Sequence, residues 1–334
     1  MMYYDINSNE YTNIYTYEGQ LSKNKIDVTN DYCSDKFKRN ALLTYKKLCE
    51  KRSKLKNTIT FIIDTDQHGR VLQRLRYIQN IDNIGMYKIN LGDTVTDYYN
   101  TRELNNALEQ SNSIDNYIAV VGNHDAITKG SDKANNNDLK NYFKSTYITD
   151  IENHKVDYYA IDDKVKILVL CPYYVLDDGT RTKVEIKTDQ MTWLINQLET
   201  SEKDIIILNH QQFTDNNIHR DNSLQNWADA PQVLKDIRTM LELFNNNGSG
   251  NITDSEGVTH NYDFTNKTNK ILVTLHGHSH EELYLVKNKL TSYVADWVGN
   301  NNCCTFGLID KNNDRVFIYH FNENEIDNVL LLPI

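Results

Sequence analysis

The chain has 334 residues with a formal net charge of −10, and 39% of the residues are hydrophobic. This length suits one large α/β domain. The acidic charge disfavours a general nucleic-acid binder, because the sequence has no basic tract that would neutralise phosphates. The five cysteines are odd in number and widely spread, which indicates reduced thiols rather than a disulfide framework. The adjacent Cys303 and Cys304 are expected to serve strand packing rather than redox chemistry.

Residues 1–57 are expected to form a polar arm followed by a helix from about Lys36 to Leu55, ahead of a main domain over residues 58–334. Apolar residues from Leu42 to Leu48 favour packing of the helix on that domain. Docking of an assembly partner through residues 1–57 stays open as an alternative. The first residues lack the apolar segment of a secretory signal, and no window is long enough to span a membrane. We therefore expect a cytoplasmic or virion-associated protein with no membrane partner.

From residue 58 onward, apolar strands alternate with amphipathic helices, which predicts parallel strands covered by helices. The strands predicted before the last helix are Thr58–Ile63, Tyr87–Leu91, Tyr117–Val121, Val156–Ile161, Lys164–Leu170 and Asp204–Leu208, the fourth and fifth forming an antiparallel hairpin. The predicted helices contain Val71 to Ile78, Arg102–Gln110 and Thr188–Glu199, and the last begins at Pro231. Residues 245–269 are rich in Asn, Gly, Ser and Thr and are predicted to be a mobile insertion. Only strands are predicted thereafter: Ile271–Leu275, Glu282–Val286, Thr291–Val294, Thr305–Ile309 and Arg315–Phe321.

Five of these strands end in residues of the kind that bind metal ions. The segments are Asp66-Gln67-His68-Gly69, Asn90-Leu91-Gly92-Asp93, Val121-Gly122-Asn123-His124-Asp125, Leu208-Asn209-His210 and Leu275-His276-Gly277-His278-Ser279-His280. Carboxylate, amide and imidazole donors in such positions can converge on divalent first-row metals. The eight candidate groups exceed what one site uses: Asp66, His68, Asp93, Asn123, His124, His210, His278 and His280. They predict two ions with Asp93 able to bridge, an arrangement that generates hydroxide near neutral pH and binds the oxygens of a phosphoryl group.

Several residues near these motifs have a more ordinary interpretation. Asp64 lacks the D-x-H spacing and is expected to be structural, and His276 is expected to be a strand-end residue. Arg220, beside His219, could reach a substrate phosphate, but a solvated loop charge is the favoured interpretation. The other histidines are expected to be surface or packing residues: His154, His260 and His320.

The ordered motifs D-x-H, G-D, G-N-H-D, a single H and G-H-x-H resemble the calcineurin-like metallophosphoesterase family, from about Thr58 to about Phe321. One such motif is weak evidence, whereas five in order at strand ends are highly specific. The resemblance implies an α/β fold, a four-layer αββα sandwich of two mixed sheets. It also implies a metal-dependent phosphoric ester hydrolase with two divalent ions, drawn from Mn, Fe, Ni and Zn.

The resemblance further implies a role for each motif residue. Asp66, His68 and His280 would hold the first ion, Asn123, His210 and His278 the second, and Asp93 would bridge them. His124 would not bind a metal but would stabilise charge on the phosphoryl oxygens or protonate the leaving group. Asp125 is expected to orient His124.

The substrate class is narrowed by positions at which this sequence differs from the motifs of individual subfamilies. The loop after Asp93 lacks the Asp-Arg-Gly continuation of phosphoprotein phosphatases, and His124 is followed by Asp rather than Glu. We therefore expect a phosphodiesterase that uses a metal-bridging hydroxide for in-line attack, with a phosphomonoesterase, or a nuclease acting on single strands or cyclic nucleotides, as alternatives. The segment up to Gly69 also resembles metallophosphoesterases of Gram-positive bacteria and their phages. The alternative from another functional class is a structural or adhesive phage tail component that retains the fold, with a cell-wall phosphodiester polymer as its expected substrate.

Overall fold

A computed structural model describes most of the chain. The described residues are 2–5, 10–13, 33–69, 73–96, 103, 112–126, 158–175, 182–214, 230–280, 282–296, 303–326 and 329–334. Several predictions lie outside these residues: those for His154, His219 and Arg220, and all of the Arg102–Gln110 helix except Glu103.

The first of two six-stranded sheets carries the N-terminal motifs. Its strands, in order across the sheet, are β18 (Leu330–Pro333), β17 (Arg315–Phe321), β16 (Cys304–Asp310), β3 (Thr58–Asp64), β4 (Tyr87–Asn90) and β5 (Tyr117–Ala119). Strands β3, β4 and β5 run parallel, and the other neighbours are antiparallel. The carboxyl ends of β3, β4 and β5 therefore meet at one edge of a mixed sheet.

The second six-stranded sheet carries the remaining motifs. Its strands, in order across the sheet, are β14 (Leu283–Lys287), β15 (Leu290–Val294), β13 (Ile271–His276), β10 (Ile205–Leu208), β7 (Lys166–Val169) and β6 (Tyr159–Asp162). Strands β7, β10, β13 and β15 run parallel, and β6 and β14 are antiparallel edge strands. The predicted β6–β7 hairpin is confirmed.

Helices and three short hairpins complete the described elements. The helices are α1 (Asp35–Ser53), α2 (Gln73–Ile81), α3 (Asn123–Ala126), α4 (Thr188–Thr200) and α5 (Gln232–Asn245). The hairpins pair β1 (Met2–Asp5) with β2 (Glu10–Asn13), β8 (Tyr173–Val175) with β9 (Thr182–Val184), and β11 (Ser249–Thr253) with β12 (Thr259–Asp263). None of the described helices is long and apolar enough to cross a membrane.

Three apolar layers hold the elements together. The middle layer lies between the two sheets and includes Phe61 and Ile89 of the first sheet and Ile206 and Val273 of the second. An outer layer packs α1 and α2 on the first sheet, and another packs α4 and α5 on the second. Strands buried on both faces explain the continuous apolar runs in the sequence. The predicted four-layer αββα sandwich of two mixed sheets is confirmed.

Helix α1 belongs to this core. The Ser34 hydroxyl caps its first turn by accepting a hydrogen bond from the Phe37 N–H at 3.1 Å. Phe37, Tyr45 and Leu48 are buried against the first sheet, so the helix packs as its apolar face predicts. The division between residues 1–57 and 58–334 stays a prediction.

The expectation of a mobile insertion over residues 245–269 is corrected by the hairpin of β11 and β12. Its Ile252 and Tyr262 are buried, as is the adjoining Phe264. The Phe264 ring stacks on Tyr262 at 5.0 Å and meets Phe244 of α5 edge-on at 5.0 Å. Polar residues dominate the composition of the segment, but alternate positions carry these apolar contacts, and the aromatic cluster binds the hairpin to α5.

Candidate metal centre

The loops that follow the parallel strands are joined by backbone hydrogen bonds. In the first sheet, the N–H groups of Asp66 and His68 donate to the carbonyls of Gly92 and Asp93, both at 2.9 Å. In the second, the Gly277 N–H donates to the His210 carbonyl at 2.9 Å. These bonds bring the D-x-H and G-D motifs together in one sheet, and the single His and G-H-x-H motifs together in the other.

Hydrogen bonds also connect the two pairs of loops, and Asp66 accepts one of them. The backbone N–H of His278, from the second sheet, donates to Asp66 Oδ2 at 3.0 Å, and the Thr65 hydroxyl donates to the same oxygen at 2.7 Å. This fixes one oxygen of Asp66, and the carboxylate as a whole, at the junction of the two sheets.

The first set of side chains comprises Asp66, His68 and His280, whose possible ligand atoms all lie within 4.8 Å of one another. Asp66 Oδ1 is 3.3 Å from His280 Nε2, and the Nε2 atoms of His68 and His280 are 3.4 Å apart. Separations of this size are those of donors arranged around a common ion.

The second set comprises Asp93, His210 and His278, again with all possible ligand atoms within 4.8 Å. Asp93 Oδ2 lies 3.3 Å from His210 Nε2. Asp93 also groups with His68 and His124 within the same limit, so its carboxylate faces both sets. This position suits a bridging ligand.

Two buried atoms at the centre have no hydrogen-bond partner within the described part of the chain. They are Asp66 Oδ1 and His210 Nε2, and Asn123 Oδ1, on a third predicted ligand, is likewise buried without such a partner. His210 donates through its other nitrogen, Nδ1, to the Leu91 carbonyl at 2.7 Å, so that Nε2 carries the lone pair once the ring is neutral. Leaving a buried polar atom unpaired costs about 1–3 kcal/mol. Bound cations would satisfy such atoms, and the mixed N/O set suits divalent first-row metals.

Five of the seven predicted ligands have left-handed backbone conformations. The φ angles are 53° for Asp66, 45° for His68, 52° for Asp93, 69° for His278 and 57° for His280. Non-glycine residues reach this region at a cost of about 1–3 kcal/mol each and cluster at functional sites. The loops therefore hold strain that directs side chains toward the centre.

The carboxylates and imidazoles shift each other's proton affinities. Burial alone would lower the pKa of His210, but the nearby carboxylates of Asp93 and Asp66 outweigh it and raise this pKa to about 9. Burial alone would raise the pKa of Asp93, but His210 and His124 outweigh it and lower that pKa. The ion-free centre is thus a network of charge pairs in which protons and cations compete for the same sites.

His124 and Asp125 lie beside the ligand sets. The ring Nδ1 of His124 is 2.6 Å from the Thr96 carbonyl, and the backbone N–H of His124 donates to Asp93 Oδ1 at 2.8 Å. The Asp125 carboxylate is taken up by backbone groups: Oδ1 accepts from the N–H groups of Thr94 and Val95, and Oδ2 from that of Gly122. The Thr96 carbonyl thus contacts the His124 ring directly, and Asp125 joins the G-D loop to the G-N-H-D loop. The expected role of Asp125 in orienting His124 stays a prediction.

Two neighbouring residues lie outside the ligand sets. Asp64 is buried and accepts a hydrogen bond from the Gln67 side chain at 2.5 Å. His276 is buried, with Nδ1 3.0 Å from the Asn209 carbonyl and Nε2 2.9 Å from the Thr274 hydroxyl. Both ring nitrogens of His276 are thus in use, and burial lowers its pKa to about 3. Both residues have the structural surroundings that the sequence predicts.

The sequence interpretation missed three contributors. They are the Thr96 and Leu91 carbonyls, which orient His124 and His210, and Tyr173, whose ring meets that of His210 edge-on at 5.8 Å. Backbone carbonyls leave no trace in residue type. Tyr173 is one of 22 tyrosines, and it follows the predicted hairpin without a motif of its own.

Comparison with known proteins identifies related families and folds. The profile of the calcineurin-like phosphoesterase family matches residues 25–282. Similar solved structures include GAP50, the anchor in the inner membrane complex of Plasmodium, with 12% identity, a TM-score of 0.48 and coverage of 84% of this chain and 90% of that one. Phosphopantetheinyl hydrolase from Mycobacterium tuberculosis has 12% identity and a TM-score of 0.43, covering 72% of this chain and 90% of its own. Vacuolar protein sorting 29 from Cryptosporidium parvum has 11% identity and a TM-score of 0.37, with coverage of 83% and 98%. No curated protein matches the sequence.

Proposed function

Because this chain belongs to the calcineurin-like phosphoesterase family, and is thus a metal-dependent phosphoester hydrolase, we propose that it is a phosphodiesterase with a dinuclear metal centre. Asp66, His68 and His280 hold one ion in this proposal, Asn123, His210 and His278 hold the other, and Asp93 bridges them. Metal identity is set by availability as much as by this N/O donor set, which accepts Mn, Fe, Ni or Zn.

The observation that carries the proposal is the pair of ligand groups that converge at the junction of the sheets, Asp66 with His68 and His280, and Asp93 with His210 and His278. Within the described residues, three predicted ligand atoms are buried without a hydrogen-bond partner: Asp66 Oδ1, Asn123 Oδ1 and His210 Nε2. A pair of divalent ions, when bound, lowers the pKa of water and neutralises charge on the phosphoryl oxygens. The ligand loops contribute by holding their donors in place before ions arrive, through the bonds of Asp66 with Thr65 and His278.

His124 is the residue that we assign to the leaving group. With Nδ1 donating to the Thr96 carbonyl, the imidazolium form of His124 would carry its second N–H at Nε2. That N–H would donate to a phosphoryl oxygen or pass its proton to the departing oxygen, leaving neutral imidazole. Asp125 is a positioning residue in this scheme. Its carboxylate accepts hydrogen bonds from the backbone of Thr94 and Gly122 and so holds the loops of Asp93 and His124 together.

The preference for a diester is supported by the loop after Asp93. Its sequence continues Thr94-Val95-Thr96-Asp97 and lacks the Asp-Arg-Gly continuation of phosphoprotein phosphatases. An arginine there would bind the two oxygens of a dianionic monoester phosphate bidentately. A diester carries a single negative charge and depends less on such a group.

The proposal is tested by turnover of bis(p-nitrophenyl) phosphate and of p-nitrophenyl phosphate, with Mn, Ni, Zn or Fe supplied to metal-depleted protein. We expect metal-dependent hydrolysis with higher kcat/KM for the diester, and its loss in Asp93→Asn. His260→Ala is the matched control, since His260 pairs with Asp254 in the β11–β12 hairpin, away from the ligand sets. Folded wild-type protein that turns over neither ester with any metal would refute the proposal, and a preference for the monoester would refute the diester assignment.

A further inference from the structure

A second group of metal-binding side chains lies outside the ligand sets of the phosphoesterase centre. Asp296, Cys303 and His320 each offer a possible ligand atom, and these atoms all lie within 4.8 Å of one another. Cys303 and His320 are buried, and Asp296 is partly exposed. None of the three belongs to the motifs at the strand ends.

The three residues come from both sheets of the sandwich. Asp296 follows β15 of the second sheet, whose neighbouring Ala295 donates from its N–H to the His276 carbonyl at 2.8 Å. Cys303 immediately precedes β16 of the first sheet, and His320 lies near the end of β17, which pairs with β16. The Cys303 thiol also meets the Asp296 carbonyl at 3.6 Å. A cation bound here would join the two sheets beside β3.

The surroundings of His320 are those of a metal-binding histidine. Its Nδ1 is 3.3 Å from the Thr305 hydroxyl, which is 3.1 Å from the Tyr293 hydroxyl, and Tyr293 donates to Glu282 at 2.8 Å. A chain of polar groups that ends in a carboxylate commonly fixes the tautomer and orientation of a ligand imidazole. With Nδ1 donating to Thr305, Nε2 carries the lone pair.

The combination of one thiol, one imidazole and one carboxylate selects a particular class of ion. A thiolate favours soft or borderline metals, and zinc accepts sulfur, nitrogen and oxygen ligands together. We infer that Asp296, Cys303 and His320 form a separate zinc-type site that connects the two sheets, distinct from the dinuclear phosphoesterase centre. Three protein ligands leave a position for water. Binding converts the Cys303 thiol to a thiolate, and its proton passes to solvent.

The neighbouring cysteine provides a matched control. Cys304 is buried in the layer between the first sheet and α1, because successive strand residues point to opposite faces. Its sulfur does not belong to the Asp296 group. Cys303→Ser and Cys304→Ser thus change the same atom at adjacent buried positions, and only the first removes a proposed ligand.

Cobalt(II) titration of reduced, metal-depleted protein tests the inference, because a thiolate bound to cobalt gives a charge-transfer band in the near ultraviolet. The ligands proposed for the phosphoesterase centre contain no sulfur, so a band reports the new site. We expect the band in wild type, in Cys304→Ser and in Asp93→Asn, and its loss in Cys303→Ser, with zinc content falling by one ion per chain. The wild-type titration decides the matter even if Cys303→Ser does not fold, since absence of the band from folded wild-type protein would overturn the inference. Persistence of the band in Cys303→Ser, or its loss in Asp93→Asn or Cys304→Ser, would also overturn it.

Discussion

Asp93 and His210 face each other across the two sheets, with Asp93 Oδ2 3.3 Å from His210 Nε2. Asp93 follows β4 of the first sheet, and His210 follows β10 of the second. The centre therefore exists only when the sheets are packed together. Its ion affinity depends on two loops that are more than one hundred residues apart in sequence.

This relationship predicts how ion binding depends on pH. In the ion-free protein, the pKa of His210 is raised to about 9, because Asp93 and Asp66 outweigh the effect of burial. His210 is therefore protonated at pH 7 and must lose a proton to bind a metal. We expect ion affinity to rise by up to about tenfold per pH unit between pH 7 and about 9 and then to level off, with proton release disappearing over the same range.

Calorimetry of Mn or Zn binding in buffers of different ionisation enthalpy measures this proton release. Burial and the Asp93 carboxylate raise the pKa of Asp125 to about 7, so this group also titrates near neutrality. Asp125→Asn is the control that removes its contribution. Proton release that is absent at pH 7 in both proteins would contradict the protonated state of His210.

His124→Ala is expected to separate catalysis from metal binding. Removing a general acid lowers kcat by about 10²–10⁴-fold. Metal content should stay at the wild-type level, because the other donors remain and His124 contacts Thr96 through Nδ1. Metal analysis beside steady-state kinetics with the diester checks both points. Loss of an ion from the variant would make His124 a ligand, as its closeness to His68 and Asp93 also permits.

Asp125→Ala is expected to destabilise the fold as well as the centre. The change leaves three buried backbone N–H groups, those of Gly122, Thr94 and Val95, without their acceptor. Each unpaired group costs about 1–3 kcal/mol, so we expect the free energy of unfolding to fall by about 3 kcal/mol or more. Denaturant unfolding with chelator present measures this independently of bound ions. The exposed Asp115→Ala should change stability by no more than about 0.5 kcal/mol, and an equally small effect in Asp125→Ala would contradict the structural role.

The contrast between His124 and His210 illustrates what the sequence could predict. Residue type and position at a strand end predicted that Asp66, Asp93, His210 and their partners would meet, because parallel strands place their carboxyl ends at one edge. The contact of the His124 ring with Thr96 could not be predicted, because the Thr96 carbonyl is a backbone group whose position depends on how its loop folds.

The secondary-structure elements that the sequence did not predict were missed for similar reasons. Strand β18 was not predicted, since Leu330–Pro333 is a short edge strand that buries only one of its four side chains and contains proline. The β11–β12 hairpin was obscured by polar residues, and its buried Tyr262 and Phe264 became meaningful only against Phe244. Three further expectations stay predictions, because they depend on binding partners or on the evolutionary origin of the protein. They are the domain division at residue 57, the relationship to phage proteins and the role in a phage tail.

Gly122→Ala is expected to disrupt the bridging carboxylate directly. A Cβ at this position would lie 2.1 Å from Asp93 Oδ1 and 2.3 Å from the Asp93 backbone nitrogen. Relieving that overlap requires Asp93 to move, with a cost of about 1–3 kcal/mol for forced displacement. We expect loss of bound metal and of diester turnover, measured by metal analysis and kinetics. Gly257→Ala is the control, because a Cβ at Gly257 would have no atom within 4 Å, although its φ of 84° would be strained for alanine. This variant should lose stability but keep its metal content. Unchanged metal content in Gly122→Ala would contradict the prediction.

Leu48→Ala tests whether α1 is part of the domain core or an arm that can be removed. Leu48 is fully buried in the layer between α1 and the first sheet. Truncating a leucine in such a position costs about 2–5 kcal/mol, since apolar contacts are lost and a cavity remains. The neighbouring Lys47 is exposed on the same helix, so Lys47→Ala should shift the free energy of unfolding by no more than about 0.5 kcal/mol. Denaturant unfolding of both variants, followed by tyrosine fluorescence and circular dichroism, gives the comparison. A single cooperative transition that is weakened only in Leu48→Ala places the helix in the folding unit of the phosphoesterase domain, whereas equal stability of the two variants would mean that residues 1–57 are free to serve a partner.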